Sequence, residues 1–155
     1  MDIMPISVVV FGAIPEAILM VWAGLLLLEQ KPNAGKLLVV GIVQGIGAYY
    51  IRRYMPFGYH FILQTGVLVV LTYLVVKVRF LTALMAVAIS SAVIILVEGS
   101  LMVFLNANIA YVLSMGWKRI YYILPHDLIF ALIIYICKKN KVSLLKEFGV
   151  LRKFV

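Results

Sequence analysis

The sequence predicts an all-α protein: a polytopic transmembrane helix bundle of about five spans, with an interfacial helix and a C-terminal amphipathic helix. Three observations carry this. Hydrophobic residues make up 65% of the 155 residues and charged residues only 13%, where soluble domains sit near half apolar and a quarter charged. Mean hydropathy is +1.12. The charges cluster at the ends of apolar runs and in the tail, which is the pattern of topology signals and lipid headgroup contacts. That placement also accounts for the net charge of +8 without nucleic acid as a partner. Residues 1–137 form one membrane domain and residues 138–155 a basic cytoplasmic tail.

The run from Phe80 to Leu105 sets the argument for the spans. At about 26 residues it exceeds the roughly 20 a helix needs to cross a bilayer, and its only charge is Glu98. A first span runs from about Pro5 to Leu28, interrupted near its middle by Pro15 and Glu16, where the proline removes a helical hydrogen bond and permits a kink. The start of the chain has Asp2 and no Lys or Arg before the span, so it lacks the basic region of a cleaved signal and the first span is expected to be retained. The second span, Leu37 to Ile51, carries Gly41 and Gly45 at the spacing that lets another helix approach closely, with Gly47 beside them. Arg52 to His60 form a dense aromatic and basic connector of the kind found at membrane interfaces.

The third span covers about Phe61 to Val76, with Gln64 and Thr65 near its start. Lys77 and Arg79 turn the chain into the fourth. Residues 109–122, with Trp117, Lys118, Arg119, Tyr121 and Tyr122, are expected to lie in the interface; as a true sixth span they would invert the earlier helices. The fifth span is expected to begin at Pro125, a residue suited to a helix's first turn, and to end at Cys137. In the tail, Leu144, Leu145, Phe148, Leu151 and Val155 recur at helical spacing among basic residues. With five spans, ten Lys and Arg fall on the side of the tail and four on the other. The positive-inside rule then puts the N-terminus outside and the C-terminus in the cytoplasm of a plasma (inner) membrane.

Ionisable groups inside spans are costly and mark function by default, so the candidate ligand- or signal-sensing residues are Glu98, Arg52, Arg53, His60, Glu16, Gln44 and Gln64. Glu98 lies about seven residues inside the outer end of its span, and Arg52, Arg53 or His60 could reach down to keep it ionised. Glu16 has Gln44 and Gln64 as candidate partners. The structural competitor is a hydrogen-bonded cluster that merely holds helices together. Arg52 and Arg53 also read as interfacial anchors. His126 and Asp127 read as helix capping, because adjacent helical residues do not face one another. Gly41 and Gly45 are candidates for helix packing, within the chain or in a homo-oligomer.

Catalytic templates are missing: no G-x-S-x-G, H-E-x-x-H, Walker loop or kinase nucleotide motif occurs. The single cysteine, Cys137, allows neither an intramolecular disulfide nor a Cys–His metal cluster. It reads as a passive membrane-edge residue. The expectation is a non-enzymatic protein with no cofactor and no metal.

The string Arg52-Arg53-Tyr54-Met55-Pro56-Phe57-Gly58-Tyr59-His60, with Glu98-Gly99 further on, resembles the compact membrane-sensing modules ahead of bacterial sensor histidine kinases of the sporulation and peptide-quorum type. The resemblance covers most of the chain by hydropathy and is specific only at those two stretches. It implies membrane helices that sense a signal and a cytoplasmic helix that conveys it to a signalling protein. The chain departs from it in that no phosphoacceptor or ATP-binding region follows Val155. A membrane sensory or regulatory protein is the leading expectation. A small transporter or a substrate-binding transporter subunit is the alternative, its pocket using Glu16, Gln44, Gln64 and Glu98.

Overall fold

The computed structural model describes residues 4–55, 58–104, 106, 116, 120–140 and 142–144. Among them the apolar runs become five helices long and apolar enough to cross a membrane: α1 (Ile6–Leu27), α2 (Ala34–Tyr54), α3 (Tyr59–Val76), α4 (Phe80–Phe104) and α5 (Ile120–Asn140). No strand occurs among the described residues. The protein is an all-helical, multi-pass membrane protein. The tail after residue 144 and most of the expected interfacial helix lie outside the described residues.

Helix ends follow local chemistry. Asn33 caps α2, its side chain accepting from the Gly35 N–H at 2.8 Å, a usual N-cap device. At the end of α1, Gln30 N–H donates to Leu25 O at 2.9 Å and Glu29 N–H to Leu26 O at 3.0 Å. Glu29 takes a φ of 59°, so a non-glycine residue holds the left-handed position of this C-terminal motif. Lys36 at the start of α2 donates to Val76 O at 3.0 Å and so satisfies a carbonyl at the end of α3.

Two boundaries differ from the sequence expectation. α2 runs from Ala34 through Arg52, Arg53 and Tyr54, so it is almost one turn longer at each end than the apolar stretch alone suggests. α5 starts at Ile120 and contains Pro125 in its interior. Residues 120–122 therefore belong to a span and not to an interfacial helix. Pro15 does not break α1; a π-helical turn over Val9–Ala13 immediately precedes it. The wider turn relieves the clash that a proline ring makes with the carbonyl four residues back.

The hub is α1, not α4. It packs at once against α2, α4 and α5, while α3 rests on α2 and α4. Small residues set these distances, as they must where lipid supplies no hydrophobic drive for helices to associate. A Cβ on Gly24 would collide with the backbone carbonyl of Ala86 on α4. Beside it the Ser90 hydroxyl donates to Met20 O at 2.7 Å. On the other flank of α1, Gly41 and Gly45 of α2 receive Ile18 and Ile14. That glycine face is therefore filled within the chain and is not free for a second copy. Gly47 meets nothing within 4 Å.

Candidate functional site

About two turns before its glycine contact with α4, α1 carries Glu16, ten residues into its span. A cavity of about 650 Å³ opens beside it, walled by residues of all five helices. Glu16 comes from α1, Gln44 and Arg52 from α2, His60 and Gln64 from α3, and Glu98 from α4. The apolar wall includes Met20, Leu68 and Ile94. Six of the seven sequence-predicted sensing residues thus share one cavity.

Arg53 is the exception. It is exposed and is not part of the cavity wall. Successive helical residues point about 100° apart, and here that turn carries Arg53 out of the wall that Arg52 joins. Its exposure fits the other sequence reading of Arg53, an interfacial anchor.

The expected pairings also change. Glu98 was expected to meet Arg52, Arg53 or His60; Arg52 does attract it, and in addition its Oε1 lies 3.6 Å from Nδ1 of His126. Arg52 still lines the cavity with it and attracts both carboxylates across that space. Gln44 does not bind Glu16. Its Nε2 donates instead to the backbone carbonyl of Gln64 at 3.0 Å, which ties α2 to α3. Gln44 Oε1 and Gln64 Nε2 have no hydrogen-bond partner among the described residues, although Gln44 is only 6% exposed.

His126 is the residue that sequence reasoning misplaced. Because α5 begins six residues before it, His126 sits in a helix interior with 0% exposure. Its Nε2 lies 3.8 Å from Glu16 Oε1 and 3.7 Å from Asp127 Oδ1. One imidazole therefore stands among three carboxylates drawn from α1, α4 and its own helix, packed edge-on against Phe130. The signal for it was present in the string Pro125-His126-Asp127, a histidine and a carboxylate inside an apolar run. Reading Pro125 as a helix start put that pair at the interface.

The chemistry this arrangement offers is recognition. Two carboxylates, a guanidinium and unpartnered amide atoms face one space with greasy walls, as in small-molecule sites that combine apolar lining with a few polar anchors. No group of three or more His, Cys, Asp or Glu among the described residues is arranged to hold a metal ion. Cys137, the free cysteine, is buried at the far end of α5.

At that far end the helices are tied differently. The Lys138 ammonium sits 4.2 Å from the centroid of the Trp22 ring, and the Ser143 hydroxyl donates to Glu29 Oε1 at 2.6 Å. α5 is thus fastened to α1 both at the carboxylate cluster and where the chain leaves the membrane. No protein family, curated protein or solved structure matches the chain in comparisons with each.

Proposed function

We propose that the protein is a membrane sensory or regulatory protein, in which a ligand occupying the cavity changes helix packing and α5 passes that change to a cytoplasmic signalling partner. The observation that carries this reading is the convergence of Glu16, Gln44, Arg52, His60, Gln64 and Glu98 on one cavity. Intramembrane polar groups are expensive, and six of them around a single space favour a binding role over scattered structural use. The route out is supported by α5 itself. Its His126 lies against Glu16 and Glu98 at one end, and its Lys138 lies on Trp22 at the other. The ten-to-four bias of Lys and Arg favours a cytoplasmic tail.

Trp22 is a natural reporter, since the chain has only two tryptophans. With Trp117 replaced by phenylalanine, Trp22 emission should shift when a probe fills the cavity, because the Lys138 contact is remade. The probe is 4-phenylbutylamine, with 4-phenyl-1-butanol and 4-phenylbutyrate as its neutral and acidic counterparts. A probe that binds while Trp22 stays silent would defeat the coupling and leave a binding protein without output.

The second reading, a small transporter or a substrate-binding transporter subunit, draws on one observation. Glu16 lies at mid-span with Gln44 and Gln64 on the same cavity wall, and transporter sites sit near the midplane. Accumulation of a bound probe inside proteoliposomes would favour it over the sensor.

A further inference from the structure

We infer that the cavity selects an organic cation, an amine- or guanidine-bearing molecule with an apolar body whose charged head lies between Glu16 and Glu98. The inference rests on the ligand-binding reading above and adds the ligand's chemical class.

Charge is the first argument. Three carboxylates gather here: Glu16 and Glu98 on the cavity wall, and Asp127 sharing His126 with Glu16 from behind. Arg52 supplies one positive charge. His126 can add at most one more, and it is already spread over three acceptors at 3.6, 3.8 and 3.7 Å. A neutral imidazole donates from one nitrogen only, so at least one facing carboxylate would then meet a lone pair. With all three carboxyls ionised and both histidines neutral, the cluster keeps an excess of two negative charges over Arg52; a bound cation offsets one of them, leaving a single proton on a histidine or a carboxyl to offset the other. An uncompensated charge in a low-dielectric setting is the costly alternative.

The second argument is independent of the acids. Gln44 Oε1 and Gln64 Nε2 line the same cavity without a hydrogen-bond partner, and Gln44 is 94% buried by its 6% exposure. Buried amide atoms in this state are open to a partner that enters the cavity, a ligand or a water. The acceptor Gln44 Oε1 suits an N–H of the ligand. A cavity of about 650 Å³ falls in the range of drug-sized sites and is far larger than a proton or a bare ion requires. With no metal-holding group among the described residues, an organic cation is the class that fits size and charge together. Met20, Leu68 and Ile94 would cover its apolar body.

The test uses three probes with one skeleton and three heads: 4-phenylbutylamine, 4-phenyl-1-butanol and 4-phenylbutyrate. Each is titrated calorimetrically into the full chain in zwitterionic nanodiscs, with empty discs subtracted. The amine should bind at least about tenfold tighter than the alcohol, because a site with facing charged groups rejects the head that cannot answer them. Glu98→Gln and Glu16→Gln should each erase that preference, and exposed Arg53→Gln should leave it intact. Melting curves accompany every variant; where one glutamine variant melts early, the other supplies the comparison.

Equal binding of amine and alcohol overturns the inference while keeping the cavity, and means the acids are neutralised by protons alone. Tighter binding of the acid also overturns it and makes Arg52 the governing group. Failure of all three probes overturns the inference together with the ligand-binding reading.

Discussion

The two halves of α1 are built to opposite ends. From Val21 to Leu27 the helix is sealed, with Val21, Ala23, Gly24 and Leu25 all buried. Gly24 lies on the backbone of α4, and the Ser90 hydroxyl reaches across to Met20 O. From Gly12 to Met20 the same helix completes a π turn, carries a carboxylate and turns Ala13, Glu16, Ala17 and Met20 to a cavity. The difference lies in what each half leaves unsatisfied. In the sealed half the Ser90 hydroxyl has its acceptor and small residues bring the helices together. In the open half the nitrogens of His126, Gln44 Oε1 and Gln64 Nε2 have no hydrogen-bond partner among the described residues. Close interhelical packing is concentrated in one half, and polar groups facing the cavity are concentrated in the other.

The strongest way to break that comparison is to disturb the sealed half. Gly24→Ala places a methyl group where the Ala86 carbonyl stands. Backbone cannot swing aside as a side-chain tip can, so α1 and α4 must separate. Overpacking of this kind costs about 1–3 kcal/mol. The expected outcome is a clear drop in melting temperature in detergent; an unchanged melt would mean that the seam is looser than its geometry indicates. Ser90→Ala comes next. It removes the bond to Met20 O without adding volume, and interhelical hydrogen bonds in membranes contribute about 0.6 kcal/mol on average. A smaller fall in melting temperature, with binding of 4-phenylbutylamine unaltered, is the result that separates seam from cavity.

The fold was legible in the sequence because hydropathy and length are local signals. All five spans can be read from apolar runs bounded by charge, and the lone Glu98 in the longest of them pointed at once to a site. Helix boundaries were less legible where polar residues continue a helix. Arg52 to Tyr54 stay helical, and Ile120 to Leu124 precede Pro125 in α5. Six of the seven sensing candidates meet at one cavity because their chemistry is out of place in lipid, and that is visible one residue at a time. Their partners were not visible. Which carboxylate faces which nitrogen depends on the rotation of α5 about its axis, and a five-residue error in its start moved His126 from the centre of the cluster to the membrane edge. The choice of α1 as hub was equally hidden. Its centrality comes from Gly24, Gly41 and Gly45 fitting particular neighbours, and glycines at such spacing are common in membrane helices whatever they touch.

The smallest expected effect sharpens the comparison most, because it repeats the glycine test in the other half of the same helix. A Cβ on Gly12 would lie 2.8 Å from Cδ1 of Ile123, with Val8 Cγ1 next at 3.6 Å. The obstacle is the far end of a side chain, beside a cavity that Ile123 itself lines. A rotamer change clears it at a cost of order 0.5–1.5 kcal/mol at most. Alanine meanwhile restores helix propensity worth up to about 1 kcal/mol over glycine. The two terms nearly cancel, so Gly12→Ala should melt within a degree or two of the parent protein. Because Ile123 turns toward the cavity, affinity for 4-phenylbutylamine should weaken by a few-fold even as stability holds. A Gly12→Ala protein as destabilised as Gly24→Ala would show that both halves of α1 are equally tight, and the division between a sealed and an open half would fail.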